Sequence, residues 1–186
     1  MRIIGGSLKG KKLFQPIDQD TRPLKDIVKE SIFNILQHSV DNKVNLFNSN
    51  VLDLFSGTGS FGLECLSRGA RKVVFIERQK RLCQNLEEVL KKLKIEDKCR
   101  IINTNATSFD FRILKEKFDL IFLDPPFREN LSQRSFDMIH EYDLLVEKGF
   151  VYLECEKDLD IQKLETPLAK IKASEGGETK YYLFEG

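Results

Sequence analysis

The sequence is poor in the residues from which metal centres are built. It contains only two histidines, His38 and His140, and they lie far apart along the chain. The four cysteines are irregularly spaced, with no Cys-x-x-Cys pair, at Cys65, Cys83, Cys99 and Cys155. Structural and catalytic metal sites need thiolates, imidazoles or carboxylates at characteristic spacings. We therefore predict no metal site, and free thiols in a reducing compartment.

Long apolar runs, internal repeats and low-complexity linkers are also absent. No apolar run reaches the roughly 18 to 20 residues of a membrane-spanning helix, and residues 1–7 lack the apolar core of a secretory signal. A chain of 186 residues with 41% hydrophobic and 32% charged residues suits one globular domain. We predict a cytoplasmic monomer without a membrane partner. Its single domain covers 1–186, with a basic N-terminal extension over 1–20 and the core over 21–186.

The net charge of +1 conceals an uneven distribution of charge along the chain. Residues 1–12 contain four basic side chains and no acid, whereas the charged residues of 141–165 are mostly acidic. The four basic residues are Arg2, Lys9, Lys11 and Lys12. A second cluster of positive charge lies in residues 68–81. This asymmetry favours one basic face that contacts a phosphate backbone, although lysines on solvated helix surfaces would explain part of the second cluster equally well.

The order of predicted elements is that of an α/β protein. Two short strands at 2–4 and 11–14 precede a helix that begins at Thr21-Arg22-Pro23. Strands are then predicted at 51–55, 73–77, 100–104, 118–124 and 150–155, and helices at about 60–67, 79–93, 111–117 and 132–142. Repeated βαβ units imply a parallel sheet with helices on both faces. Residues 167–174 and 179–184 flank two glycines and predict a final antiparallel hairpin.

The apolar run Phe118–Phe127 predicts a strand buried on both faces that ends at a carboxylate, Asp124. Ligands of open α/β sheets bind at this edge. Pro125 and Pro126 fix the following loop and lack N–H donors, and Phe127 adds an aromatic ring. A carboxylate, a carbonyl and a ring suit a flat base that carries an amine. An ordinary loop after a strand would have the same composition, so the motif alone leaves both interpretations open.

A glycine turn follows the strand at 51–55, in the segment Asp53-Leu-Phe-Ser-Gly57-Thr-Gly59. Such a turn lets the backbone approach a ligand, and an acid that ends the next strand, Glu77, can accept from both hydroxyls of a ribose. The glycines fit G-x-G-x-x-G, so NAD must be considered. The Asp53 carboxylate would repel a pyrophosphate but would pair with the ammonium of an amino acid. A nucleoside joined to an amino acid is S-adenosylmethionine.

Five segments together resemble the bacterial small-subunit (16S) ribosomal RNA guanine-N2 methyltransferase family. They begin at Arg2, Thr21, Asp53, Asp124 and Gly177, and they read RIIGGSLKG, TRPLKD, DLFSGTG, DPPF and GETKYY. The resemblance covers nearly the whole chain. It implies a Rossmann-like methyltransferase fold with a mostly parallel seven-stranded sheet and an antiparallel C-terminal strand. It also implies that S-adenosylmethionine methylates a guanine amine of ribosomal RNA, within a small ribosomal subunit that is assembled or assembling.

The resemblance also implies roles for individual residues. Catalysis falls to Asp124, Pro125, Pro126 and Phe127. Cofactor binding falls to Asp53, Phe55, Gly57, Gly59, Glu77, Arg78, Asn105, Ala106 and Asp124. RNA binding falls to Arg2, Lys9, Lys11, Lys12 and Arg22. One position departs from the family pattern, because Asn105 stands where an aspartate commonly accepts from the adenine amine. An amide oxygen can accept this hydrogen bond, but the amide nitrogen also donates.

Three other functions remain to be tested against this interpretation. An adenine-N6 methyltransferase acting on DNA or RNA would use the same Asp-Pro-Pro-aromatic loop. A nicotinamide-dependent oxidoreductase would use the same glycine pattern. An RNA-binding assembly factor could retain the cofactor pocket without catalysis, although intact Asp53, Glu77 and Asp124 argue against it.

Overall fold

The computed structural model describes residues 1–13, 26–38, 44–126, 131–176 and 179–186. The helices are α1 (Asp26–His38), α2 (Ser60–Ser67), α3 (Lys80–Leu93) and α4 (Leu131–Glu141). The strands are β1 (Asn50–Asp53), β2 (Lys72–Glu77), β3 (Cys99–Asn103), β4 (Phe118–Leu123), β5 (Leu145–Glu156), β6 (Ala169–Gly176) and β7 (Thr179–Glu185). Short 3-10 turns cover Glu96–Lys98, Ala106–Ser108, Phe111–Leu114 and Ile161–Lys163.

The strands form one seven-stranded sheet in the order β3-β2-β1-β4-β5-β7-β6. The pairs β1–β2, β1–β4, β2–β3 and β4–β5 are parallel. The last strand, β7, lies antiparallel between β5 and β6. This arrangement confirms the predicted Rossmann-like α/β fold with an antiparallel C-terminal strand. The chain extends to one side of β1 through β2 and β3 and then returns to the other side as β4, so a topological switch point lies between β1 and β4.

Both faces of the sheet are covered, which explains why the central strands are apolar on both sides. Helices α1, α2 and α3 pack on one face, and α4 packs on the other with the 3-10 turn at Phe111–Leu114. A row of rings crosses the first face in the order Phe33, Phe61, Phe122, Tyr152 and Tyr181. Successive ring centroids in that row are 5.3, 3.9, 5.9 and 6.1 Å apart. This aromatic layer lies directly beneath the carboxyl edge of β4 and β5.

Two predicted elements of the α/β core differ from the structure. The segment 111–117 forms only a 3-10 turn, which ends where Lys115 adopts a left-handed φ of 52°. The two residues that this turn buries, Phe111 and Leu114, are three apart, the spacing that a 3-10 turn aligns. The strand predicted at 150–155 begins earlier, at Leu145, and a register shift in its pairing with β4 accommodates exposed polar residues before Phe150.

Candidate active site

Three acidic residues meet at the carboxyl edge of the sheet. Asp53 ends β1, Glu77 ends β2 and Asp124 follows directly after β4. Asp53 pairs in register with Phe75 of β2 and with Phe122 of β4, so the three strands end at nearly the same level. This edge lies at the topological switch point, where open α/β sheets bind ligands. The structure therefore brings the predicted cofactor and catalytic carboxylates together.

Asp53 is a buried carboxyl group with one oxygen left unpartnered. Its exposure is only 1%. Oδ2 accepts from the Gly62 amide at 3.1 Å, whereas Oδ1 has no partner among the residues described. Burial is the main cause that raises the pKa of Asp53 to about 8, and the charges of Asp124 and Glu77 also raise it. A buried carboxylate oxygen without a donor fits a cationic ligand group such as an ammonium.

The glycine turn between β1 and α2 has the backbone conformation that its sequence predicts. Gly57 and Gly59 have left-handed φ angles of 54° and 74°. A Cβ at Gly59 would lie 2.6 Å from Cδ1 of Leu86 on α3, so no side chain fits there. The hydroxyls of Ser56 and Ser60 beside the turn are buried and have no partner within the described part of the chain. The turn thus presents backbone and unsatisfied hydroxyls to a ligand.

Glu77 holds this turn from the neighbouring strand. Its Oε2 accepts from the Gly57 amide at 2.8 Å, and its Oε1 accepts from the Gln79 amide at 2.7 Å. Burial raises the pKa of Glu77 above its ordinary value, and these hydrogen bonds oppose that shift. Because each carboxylate oxygen has a second acceptor position, Glu77 can order the turn and still accept from ligand hydroxyls. The residues present therefore fit S-adenosylmethionine, with its ammonium at Asp53 and its ribose at Glu77.

The remaining predicted cofactor residues follow the carboxyl ends of β1, β2 and β3. Asn105 begins the 3-10 turn after β3, where its Oδ1 accepts from both the amide and the hydroxyl of Thr107, at 3.0 and 2.9 Å. Both acceptor positions of that oxygen are thus engaged, and the amide nitrogen is the group left for a ligand. Ala106 is buried, and the Arg78 carbonyl accepts from Asn103 at 3.0 Å. Phe55 is partly buried against the second face of the sheet.

The Asp124-Pro125-Pro126 segment continues β4 out of the sheet. Asp124 is half-buried and Pro125 is buried. The Asp124 carboxylate is near enough to raise the pKa of Asp53 on one side and of Tyr181 on the other. Phe127 and Arg22 lie outside the described residues, so their predicted roles remain predictions. Asp124 therefore lies between Asp53 on β1, the predicted cofactor-binding carboxylate, and the side chains of β5 and β7.

The N-terminal segment is packed on the body of the protein, and the two halves predicted as short strands pair with each other in antiparallel fashion. The bridge Arg2–Lys12 joins its two halves, and it is flanked by backbone hydrogen bonds from the Ile3 amide to the Lys11 carbonyl at 2.9 Å and from the Leu13 amide to the Met1 carbonyl at 3.1 Å. The buried carboxylate of Glu64 in α2 accepts from the Ile4 amide at 2.8 Å and the Gly5 amide at 2.7 Å, and it also pairs with Arg68 at 2.9 Å. The Ile4 and Gly5 amides, which have no strand partner, therefore donate to α2, the helix that follows the glycine turn.

The basic side chains of this segment differ in their surroundings. Lys9, Lys11 and Lys12 are exposed. Arg2 forms a 3.0 Å ion pair with Asp26, and its backbone carbonyl accepts a hydrogen bond from the buried Lys29 ammonium. The three lysines therefore form an exposed cationic group on a fixed backbone, and part of the charge of Arg2 is compensated locally.

Metal-binding clusters and membrane-spanning helices are both absent from the described residues. Within them, no group of three or more histidine, cysteine, aspartate or glutamate side chains is arranged to hold a metal ion. No helix in the same residues has the length and apolar character needed to cross a membrane.

Sequence reasoning missed two carboxylates, Glu64 and Glu154. Glu64 contacts a segment about 60 residues away, so no local pattern indicates its partners. Glu154 lies on β5 beside Asp124, and its buried position reflects the inserted strand β7. The sequence did contain one signal for Glu154, because an acidic residue within an otherwise apolar strand is unusual unless it is paired or functional.

Comparison with known proteins agrees with this fold. Residues 1–185 match the family model described as "Conserved hypothetical protein 95". Ribosomal RNA small subunit methyltransferase D of Haemophilus influenzae is 37% identical over 85% of this chain and 80% of the relative. The enzyme of the same name from Escherichia coli K12 is 31% identical over 100% of this chain and 89% of the relative. The solved structure of the E. coli protein yhhF has a TM-score of 0.81 at 30% identity, and the match covers 100% of this chain and 97% of that one.

These matches confirm the resemblance predicted from the five sequence segments. The family model spans almost the whole chain, and the curated relatives exceed 30% identity over most of their own length. The chain therefore belongs to the family described as conserved hypothetical protein 95, together with the ribosomal RNA small subunit methyltransferases D.

Proposed function

We propose that this protein transfers a methyl group from S-adenosylmethionine to the exocyclic N2 amine of one guanine in small-subunit ribosomal RNA, on a small subunit that is assembled or assembling. The observation that supports it best is the position of Asp124, which follows β4 and lies beside the buried, unsatisfied carboxyl of Asp53. One carboxylate that binds the cofactor and a second that accepts hydrogen bonds from the target amine, both at the same edge of the sheet, suit methyl transfer to an amine. Family membership adds ribosomal RNA as the substrate class.

The cofactor is S-adenosylmethionine, as in other methyltransferases of this fold. Bound here, it supplies a methyl group on a sulfonium, which is a strong leaving group. Asp53 would pair with its ammonium, and Glu77 would accept from its ribose hydroxyls while continuing to hold the Gly57 amide. Gly59 lets the turn pack closely against α3, because a Cβ there would meet Leu86. The chain thus orients the donor through β1, β2 and the turn between β1 and α2.

Asp124 and Pro125 act on the acceptor amine. The lone pair of a guanine amine is delocalised into the ring, which makes the amine a poor nucleophile. When the Asp124 carboxylate and the Pro125 carbonyl accept hydrogen bonds from its two N–H groups, the lone pair is directed away from them and towards the methyl group. Methylation leaves one proton too many on the nitrogen, and the Asp124 carboxylate would accept it. Neither proline has an N–H, so the backbone of these two residues offers only acceptors. We propose that Phe127 stacks on the extruded base, a geometry that base-modifying enzymes commonly use.

This function is tested by methyl transfer to small subunits isolated from cells that lack the protein. We expect isotope from labelled S-adenosylmethionine to appear in N2-methylguanosine after nuclease digestion and mass analysis of the RNA. Label in N6-methyladenosine would instead support the adenine enzyme. Absence of transfer to mature subunits and to assembly intermediates would support an RNA-binding factor without catalysis.

We propose that Lys9, Lys11 and Lys12 bind the phosphate backbone of the RNA, with Arg2 and Arg22 contributing. Deletion of residues 1–14 would be a poor test, because Ile3 is fully buried and Glu64 would lose its amide partners. Replacing the three lysines with glutamine keeps the backbone contacts. We expect this variant to bind the substrate more weakly and to lower the slope of log affinity against log salt by about 2, or about 0.7 per lost phosphate contact.

The matched control for this experiment is a triple glutamine variant of the exposed Lys91, Lys92 and Lys94 at the end of α3. This control removes the same amount of positive charge from a different part of the sequence. An equal loss of slope in both variants would show that net charge alone governs binding, and would contradict a specific role for the N-terminal lysines.

A further inference from the structure

An exposed aromatic residue, Phe47, lies at the tip of a tight turn that leads into β1. Its exposure is 75%, and within the described residues the other strongly exposed large hydrophobic residue is Ile113, at 57%. The Ser49 amide closes the turn by donating to the Leu46 carbonyl at 3.2 Å. Asn48 has the left-handed φ, 63°, that asparagine tolerates at the third position of a turn. Leu46 and Ser49 are buried, so the phenylalanine ring projects from a turn with anchored ends.

The turn is also fixed from the side. The Phe47 amide donates to Asn45 Oδ1 at 3.0 Å, and the Asn48 amide donates to the Gly69 carbonyl at 2.8 Å. Gly69 has a φ of 104°, and a Cβ at this position would lie 3.1 Å from Cδ2 of Phe47. The glycine backbone therefore lies beside the ring, and most of the ring faces solvent. An apolar ring that is exposed and already positioned loses little conformational freedom when a ligand covers it.

The N-terminal segment runs along α2 from the active-site edge to this turn. At the active-site end, the Thr58 hydroxyl of the glycine turn lies 4.0 Å from Sδ of Met1. At the other end, the Ser7 amide donates to the Ser67 carbonyl at 2.7 Å. Helix α2 ends at Ser67, two residues before the glycine that lies beside Phe47. The segment that contains the N-terminal lysines thus connects the cofactor turn with the exposed ring.

Positive charge lies near Phe47 in two other segments of the chain. Lys9 is exposed and follows Ser7, whose amide contacts the end of α2. The Arg71 amide donates to the carbonyl of the last residue of the turn at 2.8 Å. The exposed Arg71 guanidinium donates to the neutral Asn50 Oδ1 at 3.1 and 2.9 Å, so within the described residues no carboxylate compensates its charge. The ring is therefore surrounded by cationic groups that can contact an anion.

This combination favours RNA over a protein as the ligand of the ring. Proteins bind single-stranded nucleic acid by stacking bases on aromatic side chains while cations follow the phosphate backbone. The core of a protein interface is instead an apolar patch from which charged residues are depleted. The exposed neighbours of Phe47 are polar or basic, namely Asn45, Asn48 and Arg71.

We propose that Phe47 is a stacking platform for an unpaired base of the RNA substrate. It lies at the end of a basic track, formed by Lys9, Lys11, Lys12 and Arg71, that leads away from the active-site edge. Six residues separate Phe47 from Asp53, a span of at most about 20 Å, so the stacked base is a second one beside the methylated base. This inference rests on the proposed RNA substrate and deepens it by adding a contact that is not ionic.

The test uses tryptophan fluorescence, because the sequence contains no tryptophan. Phe47→Trp introduces a single reporter that can be excited beyond the absorption of tyrosine. We expect protein-free small-subunit ribosomal RNA to quench this fluorescence, since a stacked base quenches an indole. Phe47→Ala should weaken binding of the same RNA about tenfold at every salt concentration. The slope of log affinity against log salt should stay unchanged, because no charge is removed, whereas replacement of the N-terminal lysines lowers it.

The matched controls are Ile113→Trp and Ile113→Ala. Ile113 is also exposed, but its 3-10 turn packs on the opposite face of the sheet from Leu46. RNA should leave the fluorescence of Ile113→Trp unchanged, and Ile113→Ala should bind RNA with unchanged affinity. All four variants should bind S-adenosylmethionine as the unmodified protein does, which shows that they are folded.

Two outcomes would overturn the inference. Fluorescence of Phe47→Trp that protein-free RNA leaves unchanged would exclude stacking, and a change seen only with assembled subunits would assign Phe47 to a ribosomal protein. In either case, N2-methylguanosine formed by the unmodified protein would leave the proposed function standing. Quenching by RNA without any formation of N2-methylguanosine would support the stacking role and contradict the proposed function.

Discussion

Asp124→Asn is expected to bind S-adenosylmethionine normally and to lose methyl transfer by a factor of about 10³. The amide removes the negative charge and replaces one acceptor oxygen with a donor, which would oppose the N–H bonds of the target amine. Asp124 also raises the pKa of Asp53. Its neutralisation therefore favours the ionised form of Asp53, and cofactor affinity at neutral pH should be unchanged or slightly higher. Single-turnover methyl transfer and calorimetric cofactor binding measure the two effects separately.

Two further variants complete this experiment. Asp124→Ala should show the same loss of transfer, since it removes the acceptor without adding a donor. Asp97→Asn is the matched control, because Asp97 is exposed before β3, at the opposite edge of the sheet. Retained turnover by Asp124→Ala would exclude the proposed role of this carboxylate, whatever its effect on cofactor binding.

Cofactor affinity is expected to depend on pH through Asp53. Asp53 must be ionised to pair with an ammonium, yet its pKa in the free protein is raised to about 8 by burial. Below this pH, affinity should fall about tenfold per pH unit as the carboxyl group takes up a proton. Above it, the α-amino group of the cofactor loses its own proton, with a pKa of about 8. Affinity should therefore be greatest near pH 8.

The same ionisation affects the stability of the free protein with a definite sign. The pKa of Asp53 is raised by folding, so its contribution to stability is complete below its ordinary value of 3.8 and is lost as the pH rises to about 8. The loss is at most about 1.4 kcal/mol per pH unit. Asp53→Asn should remove the acidic limb of the binding profile and make the free protein more stable near pH 8. An unchanged binding profile in this variant would contradict the assignment of the ammonium to Asp53.

The parts of the site that sequence analysis predicted are those set by local chemistry. The glycine turn between Asp53 and Gly62 needs left-handed φ angles that only these residue types adopt readily, and Glu77 follows at the end of the next strand. Asp124 ends an apolar run whose length and composition indicate a buried strand. Because parallel strands end at one edge of the sheet, these residues could be placed together without coordinates.

The parts that could not be predicted depend on contacts between distant segments. Glu64 holds Ile4 and Gly5 through a docking of the N-terminal segment that has no sequence period. The position of Glu154 beside Tyr181 depends on the register of the inserted strand β7. By contrast, the engagement of the Asn105 oxygen by Thr107 is a local turn that asparagine commonly forms, and the sequence Asn105-Ala106-Thr107 could have indicated it.

The most direct test of the central claim is nucleoside mapping of small-subunit ribosomal RNA from cells with and without this protein. We expect one guanine to carry an N2-methyl group only when the protein is present. Re-expression of the unmodified protein should restore that group, and Asp124→Asn should not. An identical pattern of N2-methylguanosine in both kinds of cell, or a change confined to N6-methyladenosine, would contradict the account.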